Sequence, residues 1–98
     1  MRHMKTAVHL KIPVSVFKEG KTFVAYSPVL DLSTSGKSFK IVQRRFNEVV
    51  QLFFDDLLER GTLNEVLTGL GWRRVQRQWA PPMQVFHELT DITVPLSN

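Results

Sequence analysis

The chain contains no cysteine, which excludes a disulfide framework, a thiol nucleophile and any zinc site built on cysteine ligands. Glycine and proline are sparse, at five residues each among 98, so the chain is neither collagen-like nor of low complexity. No apolar run approaches the roughly 20 residues that span a bilayer, and no signal-type apolar stretch follows the basic residues at the start. We therefore expect a cytoplasmic protein that does not bind membranes.

What the sequence does contain fits one small globular domain. Hydrophobic residues make up 43% of the chain and charged residues 22%, as is usual for folded domains. We predict a single domain over residues 1–98, with a flexible N-terminus at 1–5 and a tail strand at 83–98. The net charge is +4, which permits binding to nucleic acid or an acidic partner. Since no cluster reaches five like charges, solubility is the simpler explanation.

The first part of the chain predicts a meander of three antiparallel strands. Residues 6–18 alternate, with valine, leucine and isoleucine at most even positions, and this period of two is typical of a strand. Pro13 has no N–H to donate, so the strand lies at a sheet edge or bulge there. Residues 21–27 form the returning strand, which Pro28 ends, and residues 32–35 form a short third strand.

Two helices are predicted next. Ser38 is the expected N-cap of a long helix, and Gly61 is the expected left-handed residue after its C-terminus. Thr62 and Glu65 form a capping-box pattern, which opens a short second helix closed by Gly71. The long helix has an apolar face made of Phe39, Val42, Phe46, Val49, Val50, Phe53 and Leu57.

The last part of the chain alternates again. We predict a fourth strand from Trp72 to Trp79, beside the meander, ended by the prolines at 81–82. The tail is also strand-like, but its apolar residues change parity near Thr90, so a bulge or bend is expected there. The predicted fold class is α+β, in the order β-β-β-α-α-β: an antiparallel β-meander plus the fourth strand, packed by one long and one short helix, with a C-terminal tail strand.

The sequence contains no recognisable set of catalytic residues. The three histidines lack metal-binding spacing, and no nucleophile has a base beside it. Asp55, Asp56 and Glu59 lie on the polar back of the long helix, which is typical of a solvated face. We expect no enzyme activity, no metal site and no cofactor.

Arginine and tryptophan alternate near the fourth strand and could contact nucleic acid. Strict alternation would place Arg73 and Arg77 on the face of Trp79. Arg74 would then point the other way, with Trp72. This mixed arrangement favours an edge strand protected by charge, and a nucleic-acid surface at Arg73, Arg74 and Arg77 stays open as the alternative.

The strand, short strand and helix of the first half carry a family resemblance. Residues 23–39, followed by a long amphipathic helix, resemble the HicB antitoxin family, whose pattern is Ala-x-x-Pro-x-Leu and then a Gly-x-Thr/Ser cap. The later segments 61–65 and 70–72 resemble an extension of stand-alone HicB-like proteins. The matching positions of the main motif are Ala25, Pro28, Leu30, Gly36 and Ser38.

The resemblance implies a partial ribonuclease-H-like fold without catalytic carboxylates. It also implies a bacterial toxin–antitoxin system, in which the chain acts by protein binding as antitoxin or regulatory partner of a small HicA-type ribonuclease toxin. The expected contact residues are Tyr26, Pro28, Leu30 and Asp31. Residues 80–98 have no helical period, so we expect a stand-alone form without a DNA-binding module. The alternative is an orphan nucleic-acid-associated protein with a basic strand surface.

Two apolar features predict a homodimer. Ile41 and Leu52 fall on a second flank of the long helix, which either a nearby loop or another subunit could cover. Ile92 and Val94 belong to the apolar tail, and an unpaired strand of this kind is an aggregation hazard unless it is paired. Pairing with a second protomer would remove that hazard.

Overall fold

The computed structural model describes residues 10–84 and 88–96. The predicted flexible N-terminus and all three histidines lie outside these residues. The fold is α+β, as predicted, with a three-stranded antiparallel sheet, a long helix, a short helix and a further two-stranded sheet. Its elements in chain order are β1 (Ser15–Glu19), β2 (Thr22–Ser27), β3 (Leu32–Gly36), α1 (Phe39–Arg60), α2 (Leu63–Gly69), β4 (Arg73–Val75) and β5 (Gln78–Ala80).

The three-stranded sheet has the order β1-β2-β3 and one face covered by α1. Ala25 and Ser27 have no exposed surface, because they point from β2 toward the helix. Tyr26 lies between them in the chain and therefore points to the opposite face. The predicted alternation of β2 is confirmed, and α1 packs chiefly across β2 and β3.

The first strand is shorter than predicted. It begins at Ser15, which pairs with Tyr26, whereas residues 10–14 have no regular structure. Continuing this register would set Pro13 against Pro28. Neither proline has an N–H for the ladder, and β2 has already ended at Ser27. The apolar alternation of residues 10–14 therefore has no partner strand among the residues that the structure describes.

Local capping signals set the ends of α1 as predicted. The Ser38 hydroxyl accepts from the Ile41 amide at 3.1 Å, which satisfies a donor of the first turn. Gly61 follows the helix with φ +68°, the left-handed conformation that glycine adopts without steric cost. Of the predicted apolar face, Val42, Phe46 and Leu57 are buried.

Gly36 allows the start of α1 to approach β3 closely. A Cβ atom at this position would meet the Val42 nitrogen and the Ile41 Cγ2 at 3.0 Å each. Such distances are too short for a side chain to fit without moving the backbone of the helix. The glycine two residues before the N-cap therefore serves helix–sheet packing.

The second helix begins without the predicted capping box. The Thr62 side chain makes no cap hydrogen bond, and its backbone has φ −108° and ψ 12°, outside the extended region that a side-chain cap requires. The helix end agrees with the prediction at Gly71, which has φ +93°. There the Trp72 amide donates to the Leu67 carbonyl at 2.9 Å, so the chain leaves α2 with Trp72 turned into the core.

The predicted fourth strand is instead a hairpin. Gln76 and Arg77 both have positive φ, at 50° and 71°, and these values form a tight two-residue turn between β4 and β5. This sheet is separate from the three-stranded sheet, so the prediction of a fourth strand beside the meander was also wrong. In the described part of the predicted tail strand, residues 83–84 and 88–96, there is no strand.

The core consists of two adjoining clusters. One contains Ala25, Val42 and Phe46 between the sheet and α1. The other contains Leu67 and Trp72 with the turn after β2. Trp72 is 2% exposed, and its indole Nε1–H donates to the Val29 carbonyl at 2.7 Å. This buried hydrogen bond joins parts of the chain that are 43 residues apart.

Removal of the Trp72 indole N–H tests this connection. We expect Trp72→Phe to lower the free energy of unfolding by about 1–3 kcal/mol beyond the loss of ring volume, because the buried Val29 carbonyl loses its donor. Trp79→Phe is the matched control and should cost less, since Trp79 is only half-buried. Urea denaturation, followed by the fluorescence of the remaining tryptophan, measures both variants. Equal losses of unfolding free energy would contradict the role of the hydrogen bond.

Candidate functional site

The turn after β2 carries most of the contact residues predicted from the family resemblance. Tyr26 lies at the end of β2, and its hydroxyl donates to Asp31 Oδ1 at 3.2 Å across the turn. Asp31 has φ +52°, a left-handed conformation that aspartate tolerates better than most residues. The Val29 carbonyl in the middle of the turn is held by Trp72. The turn is therefore fixed from inside the core and presents a phenol and a carboxylate outside.

The pKa of Tyr26 is raised above its ordinary value of 10.0. Desolvation is the largest cause, and the hydrogen bond to Asp31 and the negative charge of that carboxylate raise the pKa further. The folded protein thus favours the neutral phenol. The resulting stabilisation is present below the ordinary pKa and is lost as pH rises through the folded-state pKa.

Leu30 and Pro28 occupy opposite environments within the same turn. Pro28 is exposed and is available for contact. Leu30 is 2% exposed and belongs to the core cluster around Trp72, so it offers no surface to a partner. Its place in the motif is explained by packing, and Leu30 is not part of the proposed contact surface.

A larger surface continues from Tyr26 across the uncovered side of the sheet. Phe17 lies directly opposite Val24 and is 51% exposed. Ser33 lies opposite Tyr26 on the other side. We call this surface the outer sheet face, defined by Ser15, Phe17, Glu19, Thr22, Val24, Tyr26, Ser33 and Ser35.

The three arginines lie on the hairpin, but not as strict alternation predicted. Arg74 pairs with Trp79 across β4 and β5, and its guanidinium carbon lies 5.5 Å from the centre of the Trp79 ring. Arg74 and Trp79 therefore share a face, contrary to the prediction. Arg77 lies in the turn, and all three arginines, Arg73 included, are exposed.

The predicted dimer residues lie in three different settings. Ile41 is half-buried, and its side chain faces Gly36, so the fold itself covers part of it. Leu52 remains 67% exposed. In the tail, Ile92 and Val94 are 77% and 67% exposed. Leu52 and the tail therefore have surface free for contact.

A groove next to the residues that precede β1 was not foreseen from the sequence. It has a volume of about 1170 Å³ and lies between residues 10–14, α1 and the hairpin. Its apolar lining includes Leu10, Val14 and Leu58. The only sequence signal for it was the apolar alternation that continues on the N-terminal side of β1.

Within residues 10–84 and 88–96, no three histidine, aspartate or glutamate side chains lie close enough to hold a metal ion. No helix in this part of the chain is both long and apolar enough to cross a bilayer. Comparisons with protein-family models, curated proteins and solved structures gave no match to this chain.

Removal of the Asp31 charge should lower the pKa of Tyr26. Asp31→Asn keeps a residue type that tolerates positive φ but removes the negative charge that disfavours the phenolate. Tyr26 is the only tyrosine, so ultraviolet absorbance at rising pH follows this one group. Asp55→Asn, on the helix that covers the opposite side of the sheet, is the control and should leave the pKa unchanged. An unchanged pKa in Asp31→Asn would contradict the interaction.

Proposed function

We propose that the chain is a non-catalytic, HicB-like binding module. It acts in the bacterial cytoplasm as the antitoxin or regulatory partner of a small HicA-type ribonuclease toxin. The observation that carries this proposal is the outer sheet face, an uncovered strand surface with a half-exposed aromatic residue and a rigid turn at its rim. Aromatic side chains on a fixed backbone are typical anchors of protein interfaces.

The positions behind the family resemblance support the proposal through their physical roles. Gly36 permits the close approach of β3 and α1, and Ser38 caps the helix. Ala25 lies beneath the helix with no exposed surface. These three positions build the strand-to-helix unit that the family pattern describes, whereas Pro28 remains exposed at the rim.

Local charge also favours a basic partner at this surface. The chain has a net charge of +4, but the outer sheet face contains Glu19 and no lysine or arginine. Asp31 adds a second carboxylate at its edge. At the Asp31 end of this face a basic ribonuclease would therefore meet a carboxylate and apolar surface, despite the overall charge of the protein.

Co-expression with a HicA-type toxin encoded in the neighbouring reading frame tests the proposal. We expect the unaltered chain to restore growth and to form a complex with the toxin. Phe17→Asp should weaken the complex by about 2 kcal/mol or more, as loss of a central aromatic anchor does. Leu52→Asp is the matched control, since Leu52 is equally apolar and 67% exposed on α1. Failure of the unaltered chain to bind the toxin or to restore growth would contradict the antitoxin role.

The exposed hairpin supports a second candidate function, association with nucleic acid. Arg73, Arg74 and Arg77 lie within one short hairpin. The stacking of Arg74 on Trp79 holds a cation beside an aromatic ring. Proteins that bind single-stranded nucleic acid combine cationic and aromatic side chains in this way.

Salt dependence tests this alternative. If the arginines contact phosphates, the triple change of Arg73, Arg74 and Arg77 to Ala should flatten the dependence of RNA binding on salt by about one slope unit per lost contact. The triple change of Lys37, Lys40 and Arg44 to Ala removes the same charge elsewhere and is the control. Fluorescence anisotropy with a labelled single-stranded RNA measures both. Equal effects would mean nonspecific attraction, and no binding by the unaltered chain would remove the alternative.

A further inference from the structure

β1 and β3 are both edge strands of the sheet, but only the edge at β3 is partly covered. At β3, the Arg45 side chain donates to the Ser35 carbonyl at 3.1 Å, and α1 packs across this side. At β1, no described residue pairs with the side facing away from β2. An open strand edge is a template for another strand.

An apolar trough runs along the side of α1, next to residues 10–14 and to Val16 of β1. The groove of about 1170 Å³ and a second cavity of about 550 Å³ share Val14, Phe46 and Asn47 in their linings. Together they extend along the helix from Phe39 to Leu58. At 1.5 Å per residue this stretch of helix is about 29 Å long.

The tail is an exposed segment with an alternating pattern of apolar residues. Every residue from 88 to 96 is exposed, including Leu96 at 89%. Ile92, Val94 and Leu96 alternate, so they share one face in an extended chain. At about 3.3 Å per residue, these nine residues extend about 30 Å, which matches the length of the trough.

We propose that residues 88–96 of a second copy of this chain lie in the trough and pair with the open edge of β1. The apolar face of the tail then covers Val14 and Leu58, which are 42% and 63% exposed. Pairing ends at Val94, because Pro95 has no N–H to donate. This proposal stands independently of the antitoxin role.

Charge at the two surfaces is complementary. The described tail carries Glu88 and Asp91 and no basic residue. The groove is lined by Lys11 and Arg77, with Asp55 as its one carboxylate. The tail therefore meets a net positive rim, which favours this occupant over a basic segment.

A second copy explains both exposed surfaces at once. Residues 88–96 make no burying contact with their own chain. In a dimer with two-fold symmetry, each protomer gives its tail and receives the other, so both troughs are filled by one reciprocal contact. Because the trough and the tail both carry exposed apolar side chains, this exchange removes those side chains from water together.

Light scattering tests the dimer first. The full chain should have twice its monomer mass of 11.3 kDa at tens of micromolar. Deletion of residues 83–98 should give a folded monomer, because the described residues of this segment contribute little to the core. Val94→Asp in the tail and Val14→Asp in the trough should each raise the dissociation constant at least tenfold. Val75→Asp, at a similarly exposed valine outside the trough lining, should leave it unchanged.

Cross-linking then identifies the contact, since the natural chain has no cysteine. A Val14→Cys chain mixed with a Val94→Cys chain of different tag length should form a disulfide-linked heterodimer on oxidation. Replacing Val14→Cys by Val75→Cys, which lies outside the trough lining, should abolish the product.

Three results would overturn the proposal. The first is a monomeric full-length chain. The second is a dimer that survives removal of residues 83–98. The third is an intramolecular disulfide in a chain carrying both Val14→Cys and Val94→Cys, which would mean that the tail docks on its own protomer.

Discussion

The hydrogen bond from the Trp72 indole to the Val29 carbonyl is the interaction on which the arrangement of this small domain depends. It is buried, 2.7 Å long and formed between residues 43 positions apart. Phe54 packs edge-on against the same indole, with ring centres 6.5 Å apart, so α1 is joined to the contact. The turn that presents Tyr26 and Asp31, the end of α2 and the start of the hairpin all meet at this one side chain.

The parts of the fold that the sequence predicted are those determined by local chemistry. The period of two in β2 reflects burial of Ala25 beneath one helix, and the bounds of α1 follow from the Ser38 cap and Gly61. These signals depend on residues within a few positions of one another. They require no knowledge of which segments meet in space.

The predictions were wrong where the structure depends on a segment distant in sequence or on an unusual backbone conformation. The length of β1 is limited by the end of β2 at Ser27, and alternation within one strand carries no information on its neighbour. The hairpin turn at Gln76 and Arg77 uses positive φ without glycine or asparagine, so its turn signal is absent from the sequence. At the candidate site, Leu30 fits the family motif, but its burial beside Trp72 depends on packing across the whole chain.

The outer sheet face and the groove both depend on the hydrogen bond between Trp72 and Val29. The turn that presents Tyr26 and Asp31 and the hairpin that lines the groove both lie next to Trp72. Hydrogen exchange of the two indole N–H groups, followed by NMR, tests this most directly. We predict that the Trp72 indole exchanges only when the whole domain unfolds, while that of half-buried Trp79 exchanges through local opening. Exchange of the Trp72 indole as fast as that of Trp79 would contradict the account.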